Sequence, residues 1–174
     1  MTPDLRIRRA EPADVPELHD LIQSAMAQYA QRSGIPTLLD SQKETQADVL
    51  LHVVEDIVLV AESHGHLTGT ARLTIQPDRT AYFSRFAVSL HRQQSGIGKR
   101  LFAAAETYLR NAGVKMILLH TAINNKSLVN LYTASGFELI SVANDRGYAR
   151  GTFRKILVKE SVVPQASSED SVKP

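Results

Sequence analysis

The stretch Val88 to Gly98, reading Val-Ser-Leu-His-Arg-Gln-Gln-Ser-Gly-Ile-Gly, decides how the rest of this chain is read. An apolar, β-rich run ends at Val88, a polar turn closes on Gly96-Ile97-Gly98, and an amphipathic helix opens at once. Glycines at such a junction let backbone approach a ligand, and the first amides of a helix lack internal acceptors, so the turn is suited to an anion. Thirty-four residues beyond Gly98 stands Tyr132, one helix later, within Leu131-Tyr132-Thr133-Ala134-Ser135-Gly136-Phe137. Together the two segments suggest a phosphate-bearing cofactor beside a phenol.

Two familiar glycine motifs fail here. A dinucleotide fingerprint needs a third glycine where Leu101 stands, and a P-loop needs glycine at Gln93 and Ser or Thr where Arg100 stands. What remains is Gln93-x-x-Gly96-x-Gly98, a backbone nest suited to a pyrophosphate. Taken alone, a Gly-x-Gly also fits a tight turn that binds nothing, and Tyr132 beside Leu131 also fits a core aromatic. It is the context that favours a site.

Outward from the turn, Leu5-Arg6-Ile7-Arg8 alternates as a strand, and Val15, Leu18, Leu21, Ile22 and Ala25 follow at helical spacing. Gly34 and Pro36 break the pattern, and Thr45 to Val54 resumes as a helix with Thr45 as cap and Val49, Leu50 and Val53 on one face. Ile57 to Glu62 and Leu67 to Ile75 form a hairpin around Ser63-His64-Gly65-His66, and Gln76 to Arg79 turns into a third strand, Ala81 to Val88. After the glycine turn, Ile97, Leu101, Phe102, Ala105, Tyr108 and Leu109 trace one helical stripe that ends at Gly113. Met116 to Thr121 reads as a strand parallel to the one ending at Val88, because a helix is the usual crossover between parallel neighbours. Asn124 or Asn125 caps a further helix carrying Leu128, Leu131 and Tyr132, and Phe137 to Val142 and Phe153 to Val158 return as strands. The order is β-α-α-β-β-β-α-β-α-β-β, an α/β (α+β) chain with a domain over residues 1–160 and a disordered tail over 161–174.

A chain of 174 residues with 43% hydrophobic and 22% charged content suits one soluble domain. Its net charge of +2 and pI ≈ 9.0 come without any Lys/Arg run dense enough for nucleic acid. The absence of cysteine excludes disulfides and thiol nucleophiles, and the six histidines show no metal-ligand spacing, so no metal is expected. No leader pattern opens the chain and no apolar run is long enough to span a bilayer, which makes a cytoplasmic protein without membrane or nucleic-acid partners the expectation, as monomer or homodimer.

These residues resemble the GCN5-related N-acetyltransferase (GNAT) superfamily. The likeness runs from Phe86-Ala87-Val88 through Gln93-Gln94-Ser95-Gly96-Ile97-Gly98 and continues with Asn125, Leu131-Tyr132 and Gly136-Phe137, and Leu5 to Val158 follows the family's element order. It implies a mixed, mostly antiparallel sheet of about seven strands flanked by about four helices, with acetyl-CoA as cosubstrate. By resemblance, Phe86, Ala87 and Val88 offer backbone groups to the pantetheine arm, and the Val88 amide polarises the acetyl carbonyl. Gln93, Gln94, Ser95, Gly96, Ile97, Gly98 and Lys99 hold the pyrophosphate, Asn125 hydrogen-bonds the cofactor, and Tyr132 protonates the departing thiolate. Two positions depart from the common pattern: Gln94 stands where glycine is frequent, and Leu90 where proline is.

The implied reaction is acetyl transfer to a primary amine of a small molecule or peptide, attacking directly in a ternary complex. It needs a base, and none announces itself. On the strand Ala81 to Val88, Tyr82, Ser84 and Phe86 share a face, with Tyr82 and Ser84 able to order a water; Glu62 and His120, at strand ends, are the candidate bases. The missing base motivates an alternative, a non-catalytic acyl-CoA-binding sensor or regulatory domain. The loop Tyr29 to Leu39 and the segment Asn144 to Gly151 line the acceptor pocket by resemblance. Arg146 and Arg150 in the latter could bind a carboxylate-bearing amine, although two loop arginines are read first as solvated.

Overall fold

The computed structural model describes residues 4–93 and 95–157. Gln94, the expected strand end at Val158 and the tail from Ser161 lie outside the described residues. The elements are β1 (Arg6–Arg9), α1 (Val15–Arg32), α2 (Gln46–Glu55), β2 (Ile57–Ser63), β3 (His66–Ile75), β4 (Thr80–Val88), α3 (Ile97–Asn111), β5 (Met116–Ala122), α4 (Lys126–Ala134), β6 (Glu138–Ala143) and β7 (Arg150–Ile156). One sheet holds all seven strands in the order β1-β2-β3-β4-β5-β7-β6, antiparallel except where β4 meets β5.

The unbroken apolar run of β2 follows from burial on both faces. Val58 and Val60 pack under α1 and α2 with Leu18, Ile22, Val49 and Val53, while Leu59 and Ala61 face α3 with Leu101 and Leu109. Thr45 caps α2 through a capping box: the Asp48 amide donates to Thr45 Oγ1 at 3.2 Å, and the Thr45 amide to Asp48 Oδ2 at 2.8 Å. Two expected core positions are exposed. Leu50 turns away from the row Val49 and Val53, and Tyr108 lies on the rim of the α3 stripe, because each buried stripe is narrower than the apolar pattern around it.

The feature that positions the site is the parting of β4 and β5. They pair in parallel for only three residues, Thr80↔Met116, Ala81↔Ile117 and Tyr82↔Leu118. Beyond Tyr82, β4 stays with β3 to Val88 while β5 stays with β7 to Ala122, and a wedge opens between them. A bulge marks the departure: Arg85 and Phe86 together oppose Ala71, and Arg85 adopts a left-handed φ of 50°. The inserted residue overturns the expected face of Tyr82, Ser84 and Phe86. Phe86 joins Phe83 instead, ring centroids 5.8 Å apart, and both pack on Phe102.

Candidate active site

A cleft of about 630 Å³ lies along the wedge, walled by α1, the end of β4, the start of α3 and α4. Phe86, Ala87, Val88, Gln93, Gly96, Ile97, Gly98, Lys99 and Asn125 line it. Gly96 caps α3 with φ 81°, a conformation that a side chain at that position would strain, and leaves open space where a Cβ would stand. Gly98 serves differently, since a Cβ there would lie 3.0 Å from Phe86 Cζ: its bareness lets the helix close on that ring. Gln93 ties the turn to α1, its Nε2 donating to Gln28 Oε1 at 2.8 Å while Arg32 Nη1 donates to Gln93 Oε1 at 3.2 Å. The Ser95 hydroxyl donates to the Arg92 carbonyl, which shapes the turn.

Three cations, Arg32, Arg92 and Lys99, border this cleft together with the free amides at the start of α3. Arg100 is directed elsewhere, its Nη2 donating to the Leu5 carbonyl at 3.0 Å. The Ser89 amide donates to the Thr68 carbonyl at 2.8 Å, so by antiparallel alternation the Gly69↔Val88 pair is a non-bonded one. The Val88 amide is thereby directed away from β3, toward the side that β5 has vacated. This fits a thioester with a pyrophosphate tail: cations and helix amides at one end, an unpaired strand amide at the other.

Asn125, rather than Asn124, caps α4. Its Oδ1 accepts from the Leu128 amide at 3.3 Å and its Nδ2 donates to Ser33 Oγ at 3.2 Å, so its buried side chain braces α4 against α1 while the residue lines the cleft. Asn124 Nδ2 donates to the Ser33 carbonyl at 2.8 Å.

A second cavity of about 200 Å³ adjoins the first, and Met26, Tyr29, Phe86 and Leu128 line both. Tyr132 lines this smaller one, buried edge-on against Phe86, Phe102 and Phe137. Its hydroxyl has no hydrogen-bond partner among the described residues, and burial of the residue pushes its pKa well above that of a free phenol. It stays protonated at any working pH. His120 is here too, its Nδ1 hydrogen-bonded to Tyr82 Oη, and Arg150 Nη2 stands 3.5 Å from that same oxygen. Burial, reinforced by the nearby charges of Arg150 and Arg146, lowers the His120 pKa below its ordinary 6.5.

Glu62 lines neither cavity. It accepts from Arg8 Nε at 2.7 Å on the β1–β2 side of the sheet, so it is not brought to the site. Conversely, sequence reading did not single out Gln28, Arg32 or Arg85. The first two reach the cleft from α1, more than sixty residues before the glycine turn, and no local pattern marks them.

A sheet split between two central strands, with a helix amino-terminus aimed into the split, defines an acyl-CoA-dependent transferase fold. The family model described as Acetyltransferase (GNAT) family matches residues 17–137, and the chain belongs to that family. It is therefore an acetyl-CoA-dependent N-acetyltransferase. YhfO of Bacillus subtilis strain 168, described as an uncharacterized N-acetyltransferase, is 26% identical over 142 residues, covering 77% of this chain and 90% of that protein. Among solved structures, the PaiA N-acetyltransferase of Thermoplasma acidophilum in complex with coenzyme A superposes with TM-score 0.77 at 19% identity, covering 87% of this chain and 98% of the other. A chimera of spermidine N-acetyltransferase SpeG from Vibrio cholerae and hSSAT gives 0.70 at 20% identity, over 88% of this chain and 96% of that one. Among the described residues no helix is long and apolar enough to cross a membrane.

Proposed function

We propose that this enzyme acetylates the primary amine of a small acceptor by direct attack, the cosubstrate lying in the larger cleft and the amine in the smaller cavity. The observation that supports the reading is the shared wall of Met26, Tyr29, Phe86 and Leu128 between the two cavities, with Val88 lining the larger and Tyr132 the smaller. Arg32, Arg92, Lys99 and the amides opening α3 hold the pyrophosphate; Gln93 and Asn125 fix that cradle to α1 and α4. Acetyl-CoA supplies an activated acyl group.

The acceptor arrives as an ammonium and must lose a proton before it can attack. That proton passes to Tyr82 Oη as Tyr82 passes its own to His120 Nδ1, an imidazole kept neutral by its setting. As the new C–N bond forms, the Val88 amide donates to the oxygen that gains charge. When the C–S bond breaks, Tyr132 gives its hydroxyl proton to the departing sulfur. It regains one from the nitrogen, which sheds its second proton as the amide forms, while the proton held by His120 returns to solvent.

With a base in reach, the non-catalytic sensor reading loses its motive. Thiol release from acetyl-CoA, followed across amino acids, peptides and polyamines, tests the proposal. Release that depends on amine supports it. Tight cofactor binding by calorimetry with no release for any amine would leave a binding domain.

A further inference from the structure

The smaller cavity has a marked charge. Its lining carries three guanidiniums, Arg85, Arg146 and Arg150, against one carboxylate, Asp40. Asp40 is itself divided between Lys43 Nζ at 3.6 Å and Arg146 Nη1 at 3.7 Å. Glu44, just behind the wall, accepts from Arg72 Nη1 at 2.8 Å and Arg85 Nη2 at 2.9 Å, so one buried carboxylate faces two cations. His120 contributes no negative charge, and the remaining polar groups are the phenols Tyr29, Tyr82, Tyr132 and Tyr148 with Ser41, Ser84 and Thr121. A polycation entering here would meet its own sign of charge.

Of the two arginines expected to be solvated on a loop, Arg146 is so, although it lines the cavity rim, whereas Arg150 stands in the cavity wall on a strand. Arg150 opens β7 and is half-buried, held there because its strand register, Ala122↔Arg150 and Ala143↔Arg150, fixes its backbone at the open end of the wedge. Arg146 keeps an exposed head at the rim. A half-buried inner cation and an exposed outer one, in the cavity that Tyr82 and His120 also line, suit a ligand with an anionic end and a nucleophilic end.

Resting on the N-acetyltransferase reading, we infer that the acceptor is a small amine bearing a carboxylate, the acid gripped by Arg150 and Arg146 and the amine presented to Tyr82. Guanidiniums match a planar carboxylate with paired hydrogen bonds. The size agrees: about 200 Å³ holds on the order of seven waters at about 30 Å³ each, the scale of one amino acid.

The experiment is a matched series. Thiol release from acetyl-CoA is measured with the twenty L-amino acids, β-alanine and 4-aminobutyrate, each against its own carboxamide, with putrescine and spermidine alongside. We expect acids to exceed their amides at least tenfold in kcat/KM, and that ratio to fall about tenfold in Arg150→Gln and in Arg146→Gln. A carboxamide or polyamine used as well as the best acid overturns the inference and leaves the acetyltransferase reading standing. Should no amine be acetylated, that reading fails by itself. The cavity is then judged by calorimetry on the CoA-saturated protein with N-acetyl-L-glutamate and its diamide: selective binding of the acid supports an anion-selective cavity, and equal or absent binding overturns it.

Discussion

The two cavities are built in opposite ways. The cofactor cleft takes its amides, its glycines and two of its three cations from a single run, Val88 to Lys99, so its chemistry is largely contiguous in the chain. The acceptor cavity takes Tyr29 from α1, Asp40 from the connection before α2, Tyr82 and Arg85 from β4, His120 from β5, Tyr132 from α4 and Arg150 from β7. In the proposed assignment, backbone amides cradle the cosubstrate and depend little on side-chain identity, whereas side chains from seven segments, the connection before β7 with Arg146 included, face the acceptor. The halves meet at the shared wall of Met26, Tyr29, Phe86 and Leu128.

The sharpest way to break this division is at Tyr132, on the acceptor side but assigned to the cofactor's leaving group. Tyr132→Phe removes one oxygen that has no partner among the described residues, so folding should change by less than about 1 kcal/mol. Loss of a general acid costs about 100-fold or more in kcat. Cofactor affinity by calorimetry should be unchanged. Unaltered turnover would return Tyr132 to the aromatic core and nothing more.

Next in size is the base. Tyr82→Phe and His120→Gln should each lower kcat/KM by roughly 10- to 100-fold. The pH profile separates this from a packing effect. Because the His120 pKa lies below 6.5, the wild-type enzyme holds its rate down to that pH and loses it only in more acid solution, as the imidazole protonates. The variants should lack that acid limb. An unchanged limb would assign it to another group.

How much of this could be read from the chain follows from the same division. Element order, the parallel β4–β5 pair and the glycine turn are written in local periodicity and in residue types that act on their own backbone, and all three stand in the structure. The bulge at Arg85 is not, since a one-residue insertion leaves no mark on an apolar run until its partner strand is known. Glu62 illustrates the same limit: its position at a strand end gave no sign of Arg8, fifty-four residues earlier, which claims its carboxylate. Arg150, conversely, sits in a loop-like composition yet belongs to a strand whose register aims it inward. Residues whose roles depend on distant partners need the fold first.

On the cofactor side, Arg32→Gln should weaken coenzyme A about fivefold, about 1 kcal/mol for one cation at a solvent-open site, and less at high salt. Behind the acceptor wall, burial raises the Glu44 pKa, but hydrogen bonds from Arg72 and Arg85 outweigh this and hold it at about 2. A carboxyl lowered in the folded state contributes stability above its unfolded value of about 4.5, and that contribution fades as pH falls toward 2. Chemical denaturation from pH 6 to pH 2.5 should show this loss, and Glu44→Gln should flatten it. A wild-type slope that survives in Glu44→Gln would mean that other carboxylates govern acid stability.

The smallest effects test the joint between the halves. Gly96→Ala places a methyl in open space but at φ 81°, so it should cost about 1 kcal/mol, or about 2–4 °C in Tm for a chain of this size. It should leave acceptor KM alone. Gly98→Ala gains helix propensity of about 1 kcal/mol but sets a Cβ 3.0 Å from Phe86 Cζ, so the ring must give by a few tenths of an ångström. Stability should then move little, because the two terms oppose. Phe86 lines both cavities, however, and its shift should change acceptor KM severalfold as well as cofactor affinity. If Gly98→Ala altered cofactor affinity alone, its bareness would serve only the approach of phosphate. A paired change would make Gly98 a point where the cofactor half sets the position of the acceptor half.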